Sequence, residues 1–342
     1  MTELVSVILA TRNRAASLQR ALASIQRQTY SYLEILVLDD GSTDGTFALL
    51  EKIAAHDQRL RILRTEISLG LASALNQLIE ASRGVYLARM DDDDWAYPQR
   101  LERQIAYLEA HDLDVCGSWY RRIAGWRRST MRPPTEPEVI QAELLFQPPL
   151  LHPSVLMRKV VLERHGGYRT DYPHAEDYEL WTRLAPCCRL GNVPLVLMDY
   201  RLAASQISRQ HNASQSEAAQ RIRQEYLRRL GIPHDTDEAT RHARLRAPQP
   251  IDTLVELELA GEWLGKLASH FPQEIRSVFS RQWFLCAVRA AGLGRTAYRL
   301  WASSALAADA PPLRRAMLWS LCTLRLRYRS APYRWLEPLV SG

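Results

Sequence analysis

The first hundred residues alternate short apolar runs with amphipathic helical patterns, and this alternation restricts the fold more than any other feature. The apolar runs are continuous in character, as expected of strands that are buried on both faces. They cover residues 5–10, 34–40, 59–64 and 84–90. Each run precedes a segment whose apolar residues recur at three- and four-residue spacing. This order predicts an α/β fold with a mostly parallel, Rossmann-like sheet between two layers of helices.

Polar residues follow three of these runs, at the carboxyl ends of the predicted strands. Thr11 and Asn13 follow the first run, Asp39 and Asp40 end the second, and four consecutive aspartates at 91–94 follow the fourth. In open parallel sheets, ligands bind beyond the carboxyl ends of the strands. We therefore expect the three polar clusters to meet at one edge of the sheet and to form a binding site.

This edge of the sheet lacks the usual glycine-rich phosphate loops. Neither GxGxxG nor GxxxxGK[ST] occurs in the sequence, which argues against a dinucleotide oxidoreductase and a P-loop NTPase. A bound nucleotide diphosphate would need its charge offset in another way. A divalent cation held by the aspartates would supply the positive charge.

The run of four aspartates has the oxygen ligands that Mn²⁺ and Mg²⁺ prefer. In an extended or turning segment, Asp91 and Asp93 point to one side, and Asp92 and Asp94 point to the other. One pair would then face the ligand. The other pair would cap the helix that begins near Pro98, or would meet solvent.

Four blocks of sequence resemble, in order, those of family 2 glycosyltransferases, which have the GT-A fold and use nucleotide-diphosphate sugars. The blocks are SVILATRNRAASLQRALASIQRQTY, EILVLDDGSTDGT, GLASALNQLIEASRGVYLARMDDDDWAYPQRLERQ and HAEDYELWTRLA. Each block alone is a weak signal, but the ordered set is specific and covers about residues 4–202. The resemblance implies a GT-A fold and a metal-dependent glycosyltransferase.

The resemblance also implies roles for the aspartates at 91–93, which correspond to the family's DxD motif. Asp91 would approach the ribose of the donor and the metal, and Asp93 would bind the Mn²⁺ or Mg²⁺ that bridges the two phosphates. The family usually has a small residue where this chain has Asp92. Which of the carboxylates contact the ion therefore stays open.

The nucleotide pocket is implied in the same way. Asp39 and Asp40 resemble the family's pair at the base and ribose, and Thr11 and Asn13 would line the same pocket. An asparagine that the family often has shortly before the third helix is Ser68 in this chain. This departure weakens any inference about contacts with the base.

The acceptor side is predicted in the segment HAEDYELW, residues 174–181, which enters an amphipathic helix. An acceptor hydroxyl must lose a proton as it attacks the sugar, and the resemblance places the catalytic base on Asp177. Alternatively, Glu176 and Asp177 only complement the positive end of the helix dipole. Trp181 either stacks on a sugar ring or packs in the core. His152 either contacts the metal or phosphate or has a structural role.

The reaction implied is a single in-line displacement with inversion at the anomeric carbon. The block QxxRW of processive family members is not found in residues 201–215, which favours a single addition. The acceptor would be a glycan or a lipid-linked saccharide in bacterial cell-surface polysaccharide synthesis. A sugar nucleotidyltransferase would need a glycine-rich basic loop after the first strand, and an inactive nucleotide-sugar-binding scaffold is the non-enzymatic alternative.

Helical periodicity dominates after the polar stretch that follows Gly231. The predicted organisation is a GT-A domain at 1–230, with a nucleotide-sugar half at 1–115 and an acceptor half at 116–230, a linker at 231–250 and a helical region at 251–342. Residues 311–336 mix Trp, Leu and Arg, as in a helix that lies on an anionic membrane. Packing of this helix on the catalytic domain is the alternative.

Charge and cysteine content place further limits on partners and location. A formal net charge of +6 favours anionic partners, but no basic-aromatic nucleic-acid motif occurs. The five cysteines show no CxxC spacing, and neither a signal peptide nor an apolar run of transmembrane length is predicted. We expect a cytoplasmic protein, with peripheral contact at the inner face of the membrane as the open alternative.

Overall fold

The computed structural model describes residues 3–202, 212–247, 249–308, 310–331 and 333. The chain divides into two compact units, Met1–Ile222 and Arg223–Gly342. Most of the segment searched for QxxRW lies outside the described residues, as does the end of the helix predicted on the membrane.

The first unit is built on one mixed sheet, with nine strands among the described residues. They are β1 Val5–Thr11, β2 Leu33–Asp40, β3 Leu60–Thr65, β4 Tyr86–Arg89, β5 Trp95–Ala96, β6 Val115–Ala124, β7 Arg127–Met131, β8 Leu156–Arg158 and β9 Leu190–Arg201. The order is β3-β2-β1-β4-β8-β6-β9-β5, with β7 paired to β6. Strands β1 to β4 are mutually parallel, as predicted, whereas β8, β5 and β7 pair antiparallel with their neighbours.

Helices cover this sheet. They are α1 Ala15–Gln26, α2 Thr46–Ala54, α3 Leu71–Ala81, α4 Arg100–Ala110, α5 Pro137–Glu143, α6 Lys159–His165 and α7 Glu176–Leu184. Strand β2 is buried at every residue, which explains its unbroken apolar sequence. Leu18, Leu22 and Ile25 form the buried face of α1 and belong to the core cluster beneath the sheet. Burial of each such side chain contributes about 1.5–3 kcal/mol.

The second unit is helical, as predicted. Its helices are α8 Asn212–Arg229, which begins in the first unit, α9 Thr236–Arg244, α10 Leu254–Ala268, α11 Arg276–Arg289, α12 Arg295–Ser303 and α13 Pro312–Thr323. Three buried tryptophans, Trp263, Trp283 and Trp301, fill its core. In the described part of the chain, none of the helices combines the length and apolarity needed to cross a bilayer.

The stretch 231–250, predicted as a linker, contains helix α9. A capping box starts this helix: the side chain of Asp235 accepts from the Glu238 backbone N–H, and the Glu238 carboxylate accepts from the Asp235 N–H. The boundary between the two units falls earlier, within α8. The polar sequence already predicts part of a helix within this linker, and the structure places that helix at Thr236–Arg244.

Candidate active site

The carboxyl ends of three strands lie side by side, as the sequence predicts. Strand β1 pairs with both β2 and β4, and Thr11 at the end of β1 is opposite Asp39 at the end of β2. Strand β4 ends at Arg89, one residue before Met90 and the acidic run. The polar clusters after these strands therefore share one edge of the sheet.

Three of the four aspartates converge. Ligand oxygens of Asp91, Asp93 and Asp94 all lie within 4.8 Å of one another. Asp92 faces elsewhere, and its Oδ2 accepts a 2.7 Å hydrogen bond from Thr11 Oγ1. The structure thus brings Asp91 and Asp93 together, as expected, and adds Asp94 to them.

Asp94 does not follow the expected division of the run into two pairs that face opposite sides. Asp94 is fully buried, and its Oδ1 accepts a 2.9 Å hydrogen bond from the backbone N–H of Arg201. Helix α4 begins at Arg100, after Gln99, whose side chain makes no capping hydrogen bond. The physical reason is that β5 follows the acidic run directly and pairs with β9, which delivers the Arg201 N–H to Asp94.

The electrostatics of the cluster suit a divalent cation. Burial, with added repulsion from Asp91 and Asp93, raises the pKa of Asp92 to about 7. Burial and the charge of Asp91 also raise the pKa values of Asp93 and Asp94. The buried Oδ2 of Asp94 has no hydrogen-bond partner among the described residues. Crowded carboxylates with an unsatisfied oxygen fit Mn²⁺ or Mg²⁺, because a cation would favour their ionised forms.

A buried arginine lies behind the cluster. Arg89 Nη2 is 2.6 Å from Asp91 Oδ1, while its buried Nε and Nη1 make no hydrogen bond with any described residue. Arg100, also buried, donates a 2.8 Å hydrogen bond to the Arg89 carbonyl and fixes the end of β4. The sequence alone does not distinguish Arg89 from a solvated surface arginine. The signal that could have found it is its place inside a continuous apolar strand, where a charge needs a partner.

The loop after β2 is held to the segment that follows β1 by hydrogen bonds with Asn13. Asn13 adopts a positive φ of 53°, and its Oδ1 accepts from the Thr43 N–H at 2.9 Å. The Asn13 N–H donates to Ser42 Oγ. Asp39 Oδ1 accepts from the Ser42 N–H, while its buried Oδ2 makes no hydrogen bond with the part of the chain that the structure describes and has Arg64 Nε at 3.8 Å. Asp39 thus retains a buried acceptor oxygen.

Asp40 is engaged by the protein itself. Its carboxylate accepts hydrogen bonds from the backbone N–H groups of Leu69 and Gly70, at 2.7 and 3.1 Å. The hydroxyls of Ser68 and Thr65 donate to it at 2.7 and 3.2 Å. Asp40 therefore organises the segment between β3 and α3. Ser68, which departs from the family pattern, is one of its partners.

The N-terminus of helix α7 carries the two acids predicted on the acceptor side. Burial, followed by repulsion from Asp177, raises the pKa of Glu176 to about 7. Burial also raises the pKa of Asp177, whose Oδ1 accepts from the Tyr178 N–H at 2.8 Å. The charges of Arg89 and Asp91 act on the pKa values of both acids. The N-terminal end of α7 therefore lies within electrostatic reach of the acidic cluster.

His152 and Trp181 are buried. His152 Nε2 lies 2.8 Å from the Tyr168 hydroxyl, and the two ring centroids of His152 and Trp181 are 6.2 Å apart. Burial, with the nearby charge of Arg89, lowers the pKa of His152 well below its ordinary value, which keeps the ring neutral. Trp181 has no exposed surface. These contacts favour packing for Trp181 over stacking on a sugar, and a structural role for His152.

A second group of metal-ligand type, formed by His165, Cys187 and Cys188, has its ligand atoms within 4.8 Å of one another. His165 is the last residue of α6, and the two cysteines follow the C-terminus of α7. Asp177 lies at the opposite, N-terminal end of α7, a helix of nine residues that spans about 13 Å. The group is separate from the acidic cluster.

Comparisons with known proteins identify the family of this chain. The model of the family "Glycosyl transferase family 2" matches residues 6–166. An uncharacterized glycosyltransferase of Haemophilus influenzae is 34% identical over 250 residues, which cover 67% of this chain and 76% of that protein. The Escherichia coli UDP-Glc:alpha-D-GlcNAc-diphosphoundecaprenol beta-1,3-glucosyltransferase WfaP is 27% identical over 216 residues, covering 60% and 80%. The structure of S. aureus TarS 1–349 with UDP-GlcNAc superimposes with a TM-score of 0.59 at 16% identity, covering 91% and 90%. The chain therefore belongs to glycosyl transferase family 2, a family of transferases, and has the GT-A fold.

Proposed function

We propose that this protein transfers a sugar from a nucleotide-diphosphate donor to a hydroxyl group of a glycan or lipid-linked acceptor, with inversion at the anomeric carbon. The observation that carries the proposal is the arrangement of two acidic groups. Asp91, Asp93 and Asp94 converge at the carboxyl edge of the sheet, and Asp177 lies within their electrostatic reach at the start of α7. Donor and acceptor chemistry need these two groups on opposite sides of the sugar.

On the donor side, the free buried oxygen of Asp39 and the loop held by Asn13 suit the nucleoside. Thr11 contributes by fixing Asp92, and Asp91 would contact the ribose. Asp91 and Asp93, with Asp94, would hold Mn²⁺ or Mg²⁺. The ion, when bound, supplies positive charge that stabilises a departing diphosphate.

On the acceptor side, Asp177 takes the proton of the attacking hydroxyl. Its raised pKa suits this task, because a general base works best when its pKa approaches the working pH. Attack from the side opposite the diphosphate inverts the anomeric centre in one step. Glu176 adjoins the base and, with a pKa of about 7, holds a proton for part of the time near neutral pH.

The named relatives support the choice of substrates. WfaP is named for a UDP-glucose donor and a diphosphoundecaprenol-linked acceptor, and TarS was solved with UDP-GlcNAc. By analogy we assign this protein a nucleotide-sugar donor and a saccharide acceptor, in bacterial surface-polysaccharide synthesis on the cytoplasmic side of the membrane. The sequence offers no QxxRW block, which supports one addition per binding event.

The test is a transfer assay with Mn²⁺, a panel of nucleotide sugars and a synthetic diphospholipid-linked GlcNAc acceptor. Release of nucleoside diphosphate together with a product of inverted configuration supports the proposal. Absence of transfer and donor hydrolysis, with nucleotide binding that Asp93→Ala leaves unchanged, would indicate a binding scaffold. Pyrophosphate release from a nucleoside triphosphate and a sugar phosphate would indicate a nucleotidyltransferase.

A further inference from the structure

Strands β6 and β7 form a hairpin whose tip is fully exposed. The connection between them is Gly125 and Trp126, and Gly125 adopts a positive φ of 60° that permits the tight turn. Trp126 is 87% exposed, and every residue of 125–130 is exposed. A large aromatic side chain held in water at the end of a paired strand gains nothing for the fold of this unit. Its place in the structure suggests a partner.

The same hairpin carries only positive charge. Residues 115–135 contain five arginines and neither Asp nor Glu; the arginines are Arg121, Arg122, Arg127, Arg128 and Arg132. Arg121 pairs with Asp199, whereas the other four form no ion pair with any described residue. The guanidinium of Arg127 lies 5.4 Å from the centre of the Trp126 ring. The hairpin and the residue after its second strand thus combine an exposed indole with four arginines that have no ion-pair partner among the described residues.

The hairpin also lies beside the acidic cluster. In the pairing of β6 with β9, Ile123 is opposite Arg201, and the Arg201 N–H is the group that donates to Asp94. The turn begins two residues after Ile123, about 7 Å further along the strand. Arg121, at the base of the hairpin, is held by a bidentate contact with Asp199 at 2.8 and 2.9 Å. The position of the tip is therefore fixed relative to the site.

We propose that this hairpin docks the first unit on an anionic lipid bilayer. Trp126 enters the interface, where indole rings are favoured, and Arg122, Arg127, Arg128 and Arg132 contact lipid phosphates. Charge complementarity selects anionic lipid, and the exposed indole adds an apolar contact that a purely electrostatic partner would not need. If the proposed function is also correct, docking through this hairpin brings the acidic cluster to the membrane surface, where a lipid-linked acceptor is held.

The test is co-sedimentation of the full chain with phosphatidylcholine vesicles, with and without phosphatidylglycerol. We expect binding to the anionic vesicles only. Arg127→Gln/Arg128→Gln should weaken it by about fivefold for each arginine. Adding Trp126→Ala to this double variant should weaken vesicle binding further. These residues are exposed, so the melting temperature should not change, and transfer to a detergent-dispersed acceptor should be retained.

Matched controls remove the same groups elsewhere. Arg83→Gln/Arg103→Gln takes the same charge from exposed positions outside the hairpin, and Trp319→Ala removes a 47% exposed tryptophan from helix α13. Both should bind vesicles like the unaltered protein. The proposal is overturned if the unaltered protein fails to bind anionic vesicles, if neutral vesicles bind equally well, or if Trp319→Ala loses binding while the hairpin variants keep it. The last result would place the membrane contact on the C-terminal helices.

Discussion

The buried guanidinium of Arg89 lies 2.6 Å from Asp91 Oδ1, so a cation inside a core strand supports the first residue of the acidic run. The same positive charge lowers the pKa of Asp177 against the opposing effect of burial. One side chain thus influences the metal side and the base side of the proposed site. Asp91 and Asp177 are far apart in sequence. The fold of the sheet and the position of α7 bring both carboxylates into range of the Arg89 charge.

Replacement of Arg89 by methionine keeps the apolar stem and removes the charge. We expect the free energy of unfolding to fall by about 2–3 kcal/mol, because the removal leaves carboxylates uncompensated. This value is below the usual cost of breaking a buried pair, since the Asp91 side chain is 32% exposed. Chemical denaturation measures it, with Arg89→Lys as the charge-preserving control. Equal stability of Arg89→Met and the unaltered protein would contradict the assignment.

Asp177→Asn should lower kcat by about 10²–10⁴-fold, the usual contribution of a general base. The KM for the donor should change little, because Asp177 lies on the acceptor side. Steady-state kinetics with varied donor separates the two constants. Asp171→Asn, the same chemical change at an exposed acid paired with Arg169, serves as the control. If Asp177→Asn retained a kcat close to normal, the base would have to be another residue.

The stability of the metal-free protein should fall as pH rises through the range between 4.5 and about 7. Glu176 has an ordinary pKa of 4.5 and a folded-state pKa of about 7, so the folded state binds more protons within this range. Since stability decreases with pH wherever the folded state holds the extra protons, the loss for this group approaches about 3 kcal/mol above pH 7.

Melting temperatures measured across pH in the presence of EDTA test this expectation. Glu176→Gln should make the fall with pH less steep, because the amide does not titrate while the raised pKa of Asp92 still contributes. Mn²⁺ should raise the melting temperature most at the high-pH end. If the melting temperature of Glu176→Gln falls with pH between 5 and 7 as steeply as that of the unaltered protein, Glu176 is not responsible for the fall.

Asp40→Asn should destabilise the fold as well as weaken nucleotide binding. The carboxylate accepts from the backbone N–H groups of Leu69 and Gly70, and an amide cannot satisfy every one of its present donors. We expect a loss of about 1–3 kcal/mol in the free energy of unfolding. Ser68→Ala, which removes one donor, should cost less. An unchanged unfolding curve for Asp40→Asn, with reduced nucleotide affinity, would indicate a direct contact with the donor instead.

The four parallel strands and the polar clusters at their ends are predictable from local sequence. Continuous apolar runs indicate buried strands, and their alternation with helices along the chain indicates a parallel sheet. Asp94 was misplaced because its partner, the Arg201 N–H, comes from a strand far along the chain. The burial of Arg89 is not predictable for a similar reason, since it depends on neighbours in β8 and α4. The basic hairpin at Trp126 carries no family motif, and its significance lies in exposure, which sequence does not show.

Isothermal titration of the protein with UDP, in the presence of Mn²⁺ or EDTA, tests the central claim most directly. The claim is that Asp91 and Asp93, with Asp94, hold a divalent cation for the donor diphosphate. We predict UDP binding that requires Mn²⁺ and that weakens by about 100-fold or more in Asp93→Asn, because even indirect support of a metal ligand is worth 10–100-fold. UDP binding of equal affinity in EDTA and in Mn²⁺, unchanged by Asp93→Asn, would contradict the claim.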